Sequence, residues 1–267
     1  GKHHTTLFAT TEMILAHREY GTSGPTLIIL HGLFGQNDNW ASIARKLSES
    51  LHVFTLDLRN HGMSQHSEEF NYHVMAEDVI ETMDMLKVDA CHLLGHSMGG
   101  KVAMVCGQLA PARFHSLLIA DIGPKYYLPH HQEIIDGLRS LDLGALESRG
   151  DADELLKTHI PDFGTRQFLL KNLARNAENS FEWRFNLETI AQKIEEVGKA
   201  LERQAVATPS LFYKGGKSRY ILEEDKPSIL EVFPNAQFKT MEGAGHWMHA
   251  ENPQEMIATI LKWISEH

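Results

Sequence analysis

Cys91-His92-Leu93-Leu94-Gly95-His96-Ser97-Met98-Gly99-Gly100-Lys101 decides the fold. The apolar run Cys91 to Leu94 ends at Gly95, and a helix pattern begins at once. Met98, Val102, Val105, Cys106 and Leu109 fall on one face at i, i+4, i+7, i+8 and i+11. Strand, tight turn and helix around Gly-x-Ser-x-Gly are the context of a nucleophile elbow. The glycines have a steric task, because a turn sharp enough to strain the serine leaves no room for side chains two residues before or after it. Ser97 is then expected at the top of a sheet, its hydroxyl exposed and its neighbouring amides aimed at a bound oxyanion.

Outward from this elbow the alternation continues. Residues 12–20, 26–31, 52–57 and 116–121 read as strands, with helical spacing over 37–50 and 72–87. Such alternation predicts an α/β fold, a mostly parallel sheet with helices on both faces. From 124 to 205 the pattern changes: 132–141, 151–159, 165–176 and 187–203 read as helices, and no strand is convincing. Strand signals return at 208–213 and 236–241. The last helix starts at Asn252, with Pro253 at its first position, Glu255 completing a capping box, and an apolar face of Met256, Ile257, Ile260, Leu261 and Ile264. The expected organisation is a core of 1–123 and 206–267 with a helical cap, 124–205, inserted over Ser97, since sites of open α/β sheets lie beyond the carboxyl ends of the strands.

Composition narrows the function. A chain of 267 residues, 42% hydrophobic, buries a sizeable core. Its net charge of −10, with no basic cluster, argues against a nucleic-acid partner. No apolar run approaches the roughly 20 residues of a membrane span. Residues 1–6 show no signal-peptide pattern, and the only two cysteines, Cys91 and Cys106, fall in an expected buried strand and a packed helix. Two hidden thiols suit a reducing compartment, so the expected location is cytoplasmic.

A serine hydroxyl needs a base, and the base needs a third group to fix its tautomer. Of 17 histidines, His246 stands out, because Gly243-Ala244-Gly245-His246-Trp247 joins the last strand to the last helix and delivers a side chain to the top of the sheet. Most other histidines read as surface or loop residues, and His249 as support for the helix start. The pairs His3-His4 and His130-His131 make poor metal sites, since adjacent side chains diverge and no spaced carboxylate accompanies them. His31-Gly32-Leu33-Phe34-Gly35 follows the first buried strand and offers an oxyanion loop. The expected donors are the amides of Leu33 and Met98, with Phe34 as an alternative donor and otherwise as pocket lining; His31 is expected to brace the loop.

Together, His31-Gly32-Leu33-Phe34-Gly35, Asp57-Leu58-Arg59-Asn60-His61-Gly62-Met63-Ser64, the elbow, Glu182-Trp183-Arg184-Phe185-Asn186 and Gly243 to Glu251 resemble the α/β-hydrolase superfamily. More narrowly they are similar to the small capped bacterial esterases of the YbfF type. The resemblance covers the chain from about residue 25 to the last helix. It implies a carboxylic ester hydrolase, with acyl-CoA thioesters as related small-molecule substrates, working through an acyl-enzyme without metal or organic cofactor. Ser97 stands where haloalkane dehalogenases and epoxide hydrolases of this fold carry an aspartate. A cofactor-free perhydrolase of the haloperoxidase kind and a C–C bond hydrolase use the same triad and remain alternatives, as does a catalytically silent binding module.

The triad acid departs from the commoner pattern, a Gly-x-x-Asp turn after the penultimate strand. Here Lys214-Gly215-Gly216-Lys217-Ser218-Arg219-Tyr220 holds no carboxylate, and Glu223, Glu224 and Asp225 come late, on the next helix. Asp121 ends an earlier strand at the same edge as Ser97. The resemblance implies an acid moved to that strand, so Asp121 is assigned, with Asp225 as the alternative. In the cap, Trp183 and Arg184 are expected to shape the substrate pocket, the competing reading being that Trp183 and Phe185 hold the cap's own core.

Overall fold

Along β2 (Thr26–Leu30), Leu27 and Ile29 pack into one hydrophobic cluster while Ile28 and Leu30 pack into another. A strand whose alternate residues enter two cores is covered on both faces. The same division runs through the computed structural model, which describes residues 13–267. The large sheet comprises β1 (His17–Tyr20), β2, β3 (His52–Leu56), β4 (Cys91–His96), β5 (Phe114–Ala120), and, after a short hairpin of β6 (Leu173–Arg175) and β7 (Phe181–Trp183), β8 (Ser210–Gly215) and β9 (Ala236–Met241). Its order is β1-β3-β2-β4-β5-β8-β9, parallel except for β1 against β3.

On one face lie α2 (Tyr72–Met85) and α3 (Met98–Leu109); on the other lies α1 (Ala41–Leu47). The connection from β5 to β8 contains α4 (Gln132–Ser140), α5 (Arg149–Leu156), α6 (Phe163–Leu170), the β6–β7 hairpin, α7 (Leu187–Gln192) and α8 (Ile194–Gly198). Then come α9 (Lys226–Val232), α10 (Met248–Glu251) and α11 (Pro253–Glu266), which packs beside α1. Asn252 caps α11 as expected: its side chain accepts from the Glu255 amide at 3.2 Å and donates to the Glu255 carboxylate at 3.1 Å. Among the described residues no helix is long and apolar enough to cross a membrane. The His3-His4 pair lies outside the described residues.

Three details differ from expectation. The 124–205 segment contains the β6–β7 hairpin, because the helix expected over 165–176 stops at Leu170. Asn172 turns its side-chain amide onto the carbonyls of Leu169 and Phe34 instead of continuing the helix. The helix expected over 187–203 breaks into α7 and α8 and ends at Gly198, whose backbone lies against the Tyr127 carbonyl too closely for a Cβ. Leu109 emerges at the exposed end of α3 rather than in the core.

The connection sits over the carboxyl edge of the sheet. Asn172 bonds the loop after β2, and Asn186 bonds the turn after β3, its amide to the Asn60 carbonyl at 2.8 Å and its side chain to Asn60 Oδ1 at 3.0 Å.

Candidate active site

Ser97 is held at φ 53, ψ −121 between β4 and α3. A Cβ on Gly95 would lie 2.0 Å from the Gly99 carbonyl oxygen, and one on Gly99 would lie 2.5 Å from that of His31. No side chain fits at either position, so the two glycines are what permit the elbow.

His246 arrives on the loop after β9. Its Nδ1–H donates to Asp121 Oδ2 at 2.6 Å, and its Nε2 accepts from the Ser97 hydroxyl at 3.0 Å. The loop can approach because β8 ends in Gly215, where a Cβ would meet the Gly245 carbonyl at 2.3 Å. Asp121 is fully buried at the end of β5, with φ 57. Its carboxylate also accepts from the Gly215 amide at 3.1 Å and the Ser218 hydroxyl at 2.5 Å. Asp225 is engaged elsewhere, with Lys125 Nζ at 2.9 Å and the Leu222 amide at 2.7 Å.

The loop after β2 lies against the elbow, a Cβ on Gly32 falling 3.4 Å from the Ser97 Cβ. The Phe34 amide donates to His61 Nε2 at 3.1 Å and the Gly35 amide to the Gly32 carbonyl at 3.0 Å. Phe34 is therefore spent as a donor. Met98 is the first residue of α3, where amides lack intrahelical partners. Among the described hydrogen bonds outside regular elements, neither Leu33 nor Met98 donates its amide. His31 braces the loop, Nδ1–H on the Gly32 carbonyl at 2.7 Å and Nε2 accepting from the Leu58 amide at 3.0 Å. Burial lowers His31 to about 4 and His61 to about 3, so both are neutral props rather than proton carriers at pH 7. Asp57 holds the same turn by accepting from the amides of Asn37 (2.6 Å) and Met63 (2.9 Å).

Two cavities meet at Ser97. The smaller is lined by Tyr72, Met98, Ile122, Ile194 and Val197; the larger by Phe34, Thr165, Phe168, Leu169, His246 and Trp247. Leu33, His130, His131 and Tyr220 border both. Phe34 lines the second of these cavities. Trp183 and Arg184 line neither cavity. Pairing of β7 with β6 turns Trp183 inward onto Phe185, rings stacked 5.1 Å apart, and Phe185 packs edge-on against Phe34. The Arg184 carbonyl accepts from His66 at 2.8 Å, and its guanidinium reaches Met63.

Sequence reading missed several supporting groups. Ser218 and Tyr220 stand in the loop set aside for lacking a carboxylate. His92 and His96 are neither surface nor loop residues but lie buried in β4, and His96 Nε2–H donates to the His246 carbonyl at 2.8 Å. His249, read as support for the helix start, lies buried at the start of α10 and stacks on Trp40 at 4.2 Å. Among the described residues no group of three or more His, Cys, Asp or Glu could hold a metal ion.

Chemically, the arrangement can take the serine proton onto an imidazole whose other nitrogen is fixed by a buried carboxylate. Comparison with known proteins is consistent with that capacity. The model of the alpha/beta hydrolase fold family matches residues 25–253. Esterase YbfF of Escherichia coli is 33% identical over 90% of this chain and 93% of its own. The mouse sn-1-specific diacylglycerol lipase ABHD11 is 34% identical over 90% of this chain and 81% of its own. A solved structure of a marine microorganism esterase superposes with a TM-score of 0.91 at 38% identity, covering 94% of this chain and 99% of that one.

Proposed function

Because this chain belongs to the α/β-hydrolase family, among its YbfF-type esterases, we propose that it hydrolyses carboxylic esters through an acyl-enzyme on Ser97. The observation that carries this reading is the unbroken relay from Asp121 to His246 to Ser97, at 2.6 and 3.0 Å. His246 takes the hydroxyl proton as Ser97 attacks the acyl carbon, and Asp121 stabilises the imidazolium and keeps its tautomer. The amides of Leu33 and Met98 receive the oxyanion. His246 then gives its proton to the leaving oxygen, or to sulfur in an acyl-CoA thioester. A water deprotonated by the same imidazole releases the acid and restores Ser97.

The proton step also assigns the two cavities. A leaving group must lie beside the imidazolium that protonates it, and His246 borders only the larger cavity. The alcohol or thiol portion therefore occupies the side of Phe168 and Trp247, and the acyl chain the side of Ile122, Ile194 and Val197. Residues 124–205 act as a cap that roofs both. The esterase and lipase names of the relatives support an ester as the substrate class.

The test is labelling by a fluorophosphonate together with turnover of p-nitrophenyl esters. One adduct on the Ser97 peptide is expected, and Ser97→Ala should lose turnover by several orders of magnitude while remaining folded. A folded Ser97→Ala protein with most of the wild-type turnover would contradict the proposal.

A further inference from the structure

The loop after β8 carries no carboxylate, yet it meets the site through an aromatic ring. The Tyr220 ring lies face to face with the His246 imidazole, centroids 4.0 Å apart and planes 17° from parallel. Its placement is over-determined. The Tyr220 amide donates to Ser218 Oγ at 3.2 Å, and its carbonyl accepts from the Tyr127 hydroxyl at 2.5 Å. Its own hydroxyl pairs with His130 Nε2 at 2.9 Å. Ser218 in turn donates to the Asp121 oxygen that receives the His246 Nδ1–H.

A single hydrogen bond to Asp121 pins one corner of the imidazole and leaves the ring free to tilt about that corner. Nε2, at the far side of the ring, must nonetheless stay within reach of the serine hydroxyl. Among the other rings beside His246, His96 at 4.9 Å is tilted by 40°, and Trp247 at 6.0 Å stands edge-on. Among the described residues only Tyr220 offers a parallel face. An aromatic face also attracts the positive charge that the imidazole acquires on taking the serine proton. Burial pushes the Tyr220 phenol up to about 12, so it stays neutral and competes for no proton near pH 7.

We propose that Tyr220 is the positioning residue for His246: its ring holds the imidazole in the plane that reaches Ser97 and stabilises the imidazolium formed there. The inference rests on the reading of His246 as general base. The work is done by the ring and not the hydroxyl, whose partner His130 sits at the exposed rim.

The experiment measures kcat and KM for p-nitrophenyl acetate, with rates normalised to folded protein by circular dichroism. Tyr220→Phe is expected to stay within about threefold of wild type. Tyr220→Leu and Tyr220→Met, which lack a flat face, are expected to lose about 10–100-fold in kcat with KM within about threefold. A residue that merely supports the fold would lower the melting temperature of those variants and leave the normalised kcat unchanged, which overturns the proposal. So does a Tyr220→Phe protein as slow as Tyr220→Leu. Ser97→Ala measured alongside keeps the two readings apart. If its activity survives, the serine mechanism fails; if it is inactive while Tyr220→Leu and Tyr220→Met keep full kcat, only the role of Tyr220 fails.

Discussion

At the scale of single residues, the site is built from backbone states that L-amino acids rarely adopt. Ser97 at φ 53 and Asp121 at φ 57 each end a central strand in the left-handed region. Only one of these was legible in the sequence. Ser97 is flanked by glycines that its turn requires, so the strain leaves a trace two residues away on either side. Asp121 leaves none, and its assignment rested on its position at a strand end and on family resemblance. Ser218 and Tyr220 were illegible because a hydroxyl and a ring gain their roles only through neighbours 97 and 26 positions distant. His92 and His96 were misread for a related reason: burial turns a polar ring into a neutral spacer, and sequence does not report burial. That burial has a measurable consequence. His31 lies at about 4, and His61 and His249 at about 3, against an unfolded value of about 6.5. Between those limits the unfolded chain binds more protons than the folded one, so stability present above pH 6.5 is lost as the pH falls toward 4. His249→Phe keeps a ring against Trp40 and removes one such proton. Urea unfolding from pH 6.5 to 4 should then show a slope shallower by up to about 1.4 kcal/mol per pH unit. Equal slopes in the two proteins would contradict this.

At the scale of elements, what the sequence reveals depends on length. The helix α11 runs for 14 residues with a cap, a proline at its first position and an apolar stripe, and each of these was readable. The hairpin of β6 and β7 offers three residues per strand, too few for any periodicity to show. Its cost to the reading was specific. Without the hairpin, Trp183 and Arg184 looked like an aromatic and a cation facing substrate; with it, alternation sends Phe181 and Trp183 inward and Glu182 outward. Trp183→Ala is therefore expected to destabilise by about 3–5 kcal/mol and to leave the acyl-chain preference unchanged. Chemical denaturation paired with a p-nitrophenyl ester series from acetate to octanoate checks both halves. A shifted chain-length profile at unaltered stability would return Trp183 to the pocket. Two of the segments that carry the family resemblance, Arg59 to Gly62 and Trp183 to Asn186, meet through Asn60 and Asn186. These bonds hold the 124–205 segment to the turn after β3.

At the scale of the whole molecule, a parallel sheet brings every strand's carboxyl end to one edge, so residues far apart in the chain converge without a designed path between them. Ser97 follows β4, Asp121 follows β5, His246 follows β9, and the loop proposed to hold the oxyanion follows β2. Both ends of the 124–205 segment are tied down by one buried amine. Lys101, on α3 directly behind the elbow, donates to the carbonyl of Lys125 at 2.7 Å and that of Lys199 at 2.5 Å. This convergence was predictable from the strand–helix alternation, and it is why the sheet was more legible than residues 124–205. The same convergence makes the end of β5, and not the segment after β8, the proposed source of the acid that orients His246. The most direct test is the kcat of Asp121→Asn beside that of Asp225→Asn, both measured on folded protein. Asp121→Asn should lose about 10³–10⁴-fold, because an amide leaves the imidazolium uncompensated and favours the wrong tautomer, while Asp225→Asn should stay within about threefold. Near-normal turnover in Asp121→Asn, or the large loss appearing in Asp225→Asn instead, would contradict the account.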